Sequence, residues 1–212
     1  MFYLFCLTDV IMNQSSPYNG SLTREQFLFH EMRIAAKLLD EGLSESEVVE
    51  EIVNDNLFQF PTERMVKNLA CVCVRRLKQL EDDSMVRAVA LQPFDVAKQI
   101  CLFAMMKDNR LVWDFMITVI GEKYRTLDMS FSKADLNTFF MRLQDQDDKV
   151  ASWTDSTIKK IKSVLTSVLV ENDYLDDYRS EKLNPVLIEP ILENYIRATD
   201  NAKALQAFNC LY

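Results

Sequence analysis

The chain has 212 residues, of which 49% are hydrophobic and only 3 are glycine, and its formal net charge at pH 7 is −8. So few glycines argue against phosphate-binding loops and dinucleotide folds, which need positive φ angles or close backbone approach, and the composition favours helix over sheet. The acidic balance excludes a protein that coats nucleic acid with its whole surface, although a local basic patch remains compatible with it because salt screens charges beyond about 10 Å.

The first 17 residues are predicted to form a leader. Residues 1–11, M-F-Y-L-F-C-L-T-D-V-I, are largely apolar but have no basic start and contain Asp9, so a signal peptide is the weaker interpretation. Because Met12 begins a polar stretch, the residues before it can be an upstream-start extension that does not belong to the native protein. The longest uncharged apolar runs elsewhere are far below the ~20 residues of a spanning helix. We therefore expect a cytoplasmic protein with no membrane partner.

Two predicted helices follow the leader. Ser21 or Thr23 can cap the first helix, which runs to about Leu39, and Gly42 lies where a C-terminal cap is expected. Ser44 then begins a capping-box spacing, which predicts the start of a second helix with an acidic outer face.

A third predicted helix begins after Pro61 and carries a basic face. This face could extend a nucleic-acid footprint, or it could pair with the acidic helix before it, and pairing is favoured because solvated or paired charge is the default. A short helix from about Ser84, a long one after Pro93 and a very apolar one from Leu111 to Ile120 complete the predicted bundle. The residues of the basic face are Arg64, Lys67, Arg75 and Lys78, with Arg76 close by.

The most informative stretch is Ser152 to Val170, S-W-T-D-S-T-I-K-K-I-K-S-V-L-T-S-V-L-V. Its apolar residues have a helical spacing that turns one stripe toward a core, and they are Ile158, Ile161, Val164, Leu165, Val168 and Leu169. The other face has lysines and hydroxyls, with no acid from Ser156 to Val170. Such groups bond phosphate oxygens and base edges, although most lysine-rich faces are only solvated. The candidate nucleic-acid-binding residues are Ser156, Lys159, Lys160, Lys162, Ser163 and Thr166.

The helix order around this stretch is that of a helix-turn-helix. Ser132 and Asp135 cap a preceding helix, and a polar turn, Gln144 to Lys149, separates it from the lysine-bearing helix. A recognition helix in such a motif lies in the major groove of duplex DNA.

The segment beyond the lysine-bearing helix predicts a winged variant of this motif. Two short strands are expected, one at Tyr174 and Leu175 and the other bounded by Pro185 and Ile188, before a terminal helix from Ile191 to Phe208. The predicted fold is mainly α, with a leader at 1–17, a helical bundle at 18–126 and a helix-turn-helix or winged-helix domain at 127–212.

The sequence contains no pattern typical of catalysis or of a cofactor or metal site. The single histidine, His30, has no nucleophile motif near it, and we interpret it as structural. The cysteines are odd in number and scattered, and the C-V-C spacing places two thiols on different sides of a helix, so we expect them to be reduced. They are Cys6, Cys71, Cys73, Cys101 and Cys210. We therefore predict a protein that is not an enzyme and has no cofactor.

Several stretches together resemble the BrxA family, over about Tyr18 to Ile191. They are T-R-E-Q-F-L-F-H-E-M-R-I-A-A-K-L-L from Thr23, N-L-F-Q-F-P-T-E-R-M from Asn56, D-N-R-L-V-W-D-F-M-I-T-V-I-G-E-K-Y-R from Asp108, and S-W-T-D-S-T-I-K-K-I-K from Ser152. The resemblance implies an all-α amino-terminal region similar to the RNA-binding factor NusB. It also implies a role in bacterial BREX (bacteriophage exclusion) defence, beside a methyltransferase, a phosphatase-like protein and ATPases.

Pattern and resemblance together predict a component of BREX defence that binds nucleic acid, with double-stranded DNA as the expected ligand and other BREX proteins as partners. Two alternatives stay open. One is RNA binding in the manner of NusB, and the other is a protein scaffold that uses the acidic helix Ser44 to Asn56 or the terminal helix as its partner surface.

Overall fold

The structure, a computed structural model, describes residues 17–210 and is mainly helical, as predicted. Within this range the chain forms 11 α-helices and no strand. It has two compact units. The amino-terminal unit is Arg24–Asp108, and the carboxy-terminal unit contains the described residues before Arg24 and from Asn109 onward. No helix of the described range combines the length and the apolar character needed to cross a membrane. The predicted leader, apart from Pro17, lies outside the described residues.

Five helices form the amino-terminal unit, and the second of them begins at the predicted capping box. Ser44 Oγ accepts the amide of Glu47 at 3.4 Å, and the Glu47 carboxylate accepts the amide of Ser44 at 2.8 Å. Gly42 ends the preceding helix with a φ of 97°, a backbone conformation that glycine adopts without steric cost. The helices are α1 (Phe29–Asp40), α2 (Glu45–Asn54), α3 (Glu63–Lys78), α4 (Asp83–Leu91) and α5 (Phe94–Asp108).

The first helix begins later than the sequence predicts. Ser21–Thr23 forms only a short 3-10 turn, and α1 starts at Phe29, after Leu28 with a φ of 60°. The cause is the guanidinium of Arg76, which donates to the backbone carbonyls of residues 25–27 at 2.7 to 3.0 Å. These carbonyls would otherwise accept the intrahelical bonds of a longer α1, so the arginine holds this segment out of the helix.

A network of charged groups joins the beginning and the end of the amino-terminal unit. The side chain of Arg76 is fully buried, and its Nε lies 3.7 Å from a carboxylate oxygen of Asp108. Arg75 donates to Asp108 at 2.7 Å and to Glu25 at 2.7 Å. Because a buried charge is tolerated only when it is paired and hydrogen-bonded, Arg76 couples the packing of α3 to the chain segment that enters the unit.

The carboxy-terminal unit contains the remaining helices. They are α6 (Arg110–Phe115), a π-helical segment (Met116–Gly121), α7 (Glu122–Arg125), α8 (Lys133–Gln146), α9 (Asp148–Ala151), α10 (Asp155–Glu171), α11 (Pro190–Ala198) and a 3-10 helix (Ala202–Phe208). The units divide the chain near Asp108, whereas the predicted domains divide it after residue 126. The π-helical segment packs on the terminal 3-10 helix, so closely that a Cβ on Gly121 would lie 2.9 Å from the Cβ of Gln206. Residues 109–126, which the prediction assigned to the first bundle, therefore belong to the carboxy-terminal unit.

The two strands of the predicted wing are absent from the described residues. In this range the only β pairing is an isolated antiparallel bridge between Ser130 and Lys182. Tyr174 is buried and its hydroxyl donates to the carbonyl of Ala207 at 2.9 Å, while its own carbonyl accepts the amide of Asn184 at 2.9 Å. These contacts hold the segment after α10 as a loop against the core, so the two predicted strands are not formed there and the winged variant is not confirmed.

Two other predicted elements differ in detail. The polar turn before the lysine-bearing helix is largely helical, because α8 continues to Gln146 and Asp147 caps the four-residue α9 by accepting the amide of Val150 at 3.0 Å. The predicted terminal helix is interrupted at Thr199, between α11 and the 3-10 helix.

Candidate nucleic-acid interface

The lysine-bearing helix, α10, is oriented as its periodicity predicts. Thr154 caps it by accepting the amide of Thr157 at 3.2 Å. The whole apolar stripe is buried, with exposed fractions of 7% or less at Ile158, Ile161, Val164, Leu165, Val168 and Leu169. The opposite side of the helix therefore faces away from the core. We call its residues the lysine face, namely Ser156, Lys159, Lys160, Lys162, Ser163 and Thr166.

Two lysines of this face are exposed and have no acidic neighbour in contact. Lys159 and Lys160 are exposed, and across residues 17–210 no carboxylate oxygen lies within 4.0 Å of either amine. In a chain with a net charge of −8, such cations keep their full charge available to an anionic ligand.

The third lysine is arranged differently. Lys162 is half-buried, and its amine donates to Asn137 Oδ1 of α8 at 2.8 Å and lies 5.2 Å from the centre of the Phe140 ring. Burial lowers the pKa of Lys162, and the charge of Asp155 partly offsets this effect. The amine is thus directed at α8, and reaching a phosphate would require it to leave these contacts.

The hydroxyls of the lysine face differ in the same way. Thr166 is half-buried and donates to the carbonyl of Lys162 at 3.0 Å, one turn earlier in its own helix. Ser156 is exposed, and its hydroxyl lies 2.9 Å from that of Thr154. Ser163 is exposed. Ser156 and Ser163 therefore accompany the two exposed lysines, whereas Thr166 is engaged by backbone.

The second predicted basic face, on α3 in the amino-terminal unit, is only partly available. Arg64 and Lys67 are exposed, but Lys78 forms an ion pair with Glu45 of the acidic α2 at 2.8 Å. Arg75 is held by Glu25 and Asp108, and the hydrogen bond with Asp108 is the main cause that raises its pKa. The expected pairing is thus confirmed for Lys78, and Arg75 pairs with other acids.

The histidine and cysteine side chains of residues 17–210 do not form a metal site. Among the described residues, no three His, Cys, Asp or Glu side chains are grouped so that they could hold a metal ion. His30 is exposed, with its ring centre 5.3 Å from that of Phe29. Cys71 is exposed and Cys73 is buried, so the two thiols lie on different sides of α3, as predicted.

Sequence reasoning missed the residues that act across helices. Asn137 and Phe140 position Lys162, and the pattern of α10 alone contains no sign of either contact. Arg76 was grouped with a basic face but is fully buried. Arg76 lies three residues after the buried Cys73 and four before the buried Leu80. This helical spacing is the signal that could have predicted a buried arginine.

Comparisons with known proteins agree with this architecture. The profile of the BrxA family matches residues 16–200, which is most of the chain. The chain belongs to the BrxA family of BREX systems. A curated "BREX protein BrxA" from Bacillus cereus (strain H3081.97) is 34% identical over 194 residues, covering 92% of this chain and 94% of the relative. A second BrxA, from Escherichia coli O9:H4 (strain HS), is 27% identical over 171 residues, covering 81% and 80%.

A solved structure shares the fold of this BrxA family member. The crystal structure of an uncharacterized protein from Magnetospirillum magneticum superimposes with a TM-score of 0.77. It covers 91% of this chain and 98% of that protein, at 22% sequence identity. The helical architecture is therefore found in another chain whose sequence has diverged widely.

Proposed function

We propose that this BrxA family member is a non-enzymatic component of BREX phage defence that binds nucleic acid through the lysine face. The observation that carries the proposal is the pair of exposed amines of Lys159 and Lys160, which no carboxylate of the described chain neutralises. Phosphate contacts of this type position a protein on nucleic acid and carry little sequence information. Binding should thus be weakly sequence-selective and strongly dependent on salt.

Double-stranded DNA is the ligand that the arrangement favours. The order α8, α9 and α10 is compatible with a helix-turn-helix whose last helix presents the lysines. Readers of single-stranded RNA use exposed aromatic side chains on which bases stack. Phe140, the aromatic residue that contacts the lysine face through Lys162, is buried and cannot stack on a base. RNA binding in the manner of NusB is the alternative, supported by the family resemblance of the amino-terminal region.

Other BREX proteins are the proposed partners, and the cytoplasm is the proposed location. The curated relatives are named as BREX proteins. Because BREX defence combines several proteins, a small member that holds DNA would act by placing the others on their substrate.

A mobility-shift experiment tests the proposal. Duplex DNA, single-stranded DNA and RNA are each titrated with the protein at two salt concentrations. We expect a shift with duplex DNA at the lower salt, and we expect the triple charge reversal of Lys159, Lys160 and Lys162 to glutamate to abolish it while helicity by circular dichroism is unchanged. A shift that survives the triple reversal would overturn the lysine face as the binding site. No shift with any nucleic acid at moderate salt would favour a purely protein-binding scaffold.

A further inference from the structure

A wide groove in the amino-terminal unit has no role in the proposed nucleic-acid binding. Its volume is about 1270 Å³. Helix α2 lines one side and α4 the other, and the C-terminal half of α3 lies between them together with the loop that follows α1. Both flanking helices are held by packing within the unit, α2 on α3 and α4 on α1. The groove is therefore built by secondary structure rather than by a loose loop.

The inner surface of the groove is apolar and only partly covered. Val74 and Leu77 of α3 are buried at its base, while the apolar side chains above them are half-buried. A single exposed thiol, that of Cys71, also lines the groove. The apolar lining consists of Leu39, Leu43, Val49, Val74, Leu77 and Val86.

The rim of the groove is acidic. Five carboxylates line it, namely those of Asp40, Glu45, Glu81, Asp82 and Asp83. Three of these carboxylates are ion-paired, Asp40 with Arg87 at 2.7 Å, Glu45 with Lys78 at 2.8 Å and Glu81 with Lys107 at 3.1 Å, and the third lining cation, Arg75, binds acids outside the groove. Asp82 and Asp83 have no cation within 4.0 Å among the described residues, so they give the rim its negative charge. This rim repels a nucleic acid and attracts a cationic surface.

We propose that this groove binds a basic amphipathic helix of a partner protein. An apolar lining with charged edges is the form of site that takes the apolar face of a helix. A cylinder of helix width, about 10 Å, and of this volume is about 16 Å long, which corresponds to about three helical turns. Apolar side chains spaced at i, i+3, i+4 and i+7 would enter the groove, and lysines or arginines beside them would meet the acidic rim.

A second copy of the same chain cannot provide this helix in its folded form. Among residues 17–210 the amphipathic helices with a basic face are α3 and α10, and the apolar stripe of each is already buried, with Leu77 and Leu165 fully inaccessible. A docked copy could offer only the basic side chains, without the apolar face that the groove requires. The occupant is therefore assigned to a different protein.

The exposed thiol of Cys71 allows a direct test in the full-length protein. The probe is a synthetic three-turn peptide with leucines at i, i+3, i+4 and i+7 and lysines at the other positions, and its control is a scrambled peptide of the same composition. We expect saturable binding of the amphipathic peptide by fluorescence anisotropy. The rate of Cys71 alkylation, read by peptide mapping, should fall with the unoccupied fraction, about tenfold when about nine-tenths of the grooves are filled.

Two charge variants locate the binding at the rim. Asp83 and Glu63 are both exposed acids at the first position of a helix, α4 and α3 respectively, but only Asp83 lines the groove. We expect Asp83→Lys to weaken peptide binding about threefold or more at low salt, with a smaller effect at high salt, and Glu63→Lys to leave it unchanged.

Several outcomes would overturn the proposal. They are no saturable binding, binding that leaves the alkylation rate of Cys71 unchanged, equal binding of the scrambled peptide, and equal weakening by the two charge variants. A Cys71 that is already protected in the protein alone, together with a dimeric mass in solution, would assign the groove to a second copy instead. None of these results depends on whether the lysine face binds DNA.

Discussion

Reversing the charge of Lys159 and Lys160 together should remove a defined part of the salt dependence of DNA binding. Each neutralised phosphate contributes about 0.9 to the slope of log K against log salt concentration. Both amines are exposed and lack a carboxylate partner in the described part of the chain, so each can neutralise one phosphate. The double variant Lys159→Glu/Lys160→Glu should therefore reduce the slope by about 1.8, which is about a 12-fold difference in affinity between 50 and 200 mM salt.

The half-buried Lys162 should behave differently from these two lysines. Its amine already donates to Asn137 and lies over the ring of Phe140. Leaving these contacts to reach a phosphate costs interaction energy, so Lys162→Met should reduce the slope by less than the value of about 0.9 expected for one full contact. It should change the free energy of unfolding by less than about 0.5 kcal/mol, because the loss of the cation–π contact is offset by removing the burial cost that lowers the pKa of Lys162.

The assay is a fluorescence titration of duplex DNA at four salt concentrations. The matched control is Lys182→Glu/Lys203→Glu, which changes net charge by the same amount at two exposed lysines that lie outside α10. A reduction in slope that is equal for both pairs would show that total charge, and not the lysine face, governs binding. An unchanged slope in the Lys159/Lys160 variant would refute the assignment of phosphate contacts to these amines.

Two further predictions concern stability. Arg76→Met should lower the free energy of unfolding by about 3 kcal/mol in urea titrations, because the carbonyls that the buried guanidinium satisfies lose a charged donor. The control, Arg64→Met on the exposed face of the same helix, should change the free energy of unfolding by less than about 0.5 kcal/mol. Equal effects of the two variants would contradict the role of Arg76. Hydrogen bonds from Ser130 and then Lys123 lower the pKa of Asp128 from 3.8 to about 2, so the stabilisation is present above pH 3.8 and is lost as the pH falls toward 2. Thermal midpoints between pH 5 and pH 2 should therefore fall more steeply for the native protein than for Asp128→Asn, and parallel curves would rule this out.

Much of the helical architecture could be predicted because its signals are local. Ser44 and Ser132 begin helices with capping boxes, and Thr62 caps α3, since the partners of a cap lie within three residues. The periodicity of α10 likewise determines which side is buried, because an apolar stripe at helical spacing has only one way to face a core. The exposure of Lys159 and Lys160, on which the proposed function rests, follows from this same pattern.

Only the tertiary structure decides the features whose partners are distant in the sequence. The start of α1 depends on Arg76, about fifty residues away, and the loop that replaces the predicted wing depends on the contact of Tyr174 with Ala207. The orientation of Lys162 depends on Asn137, which lies 25 residues before it on another helix. The groove between α2 and α4 also exists only because α2 packs on α3 and α4 packs on α1. Local propensity and periodicity describe a residue relative to its own helix, whereas contacts between helices depend on packing that the pattern of a single element does not contain.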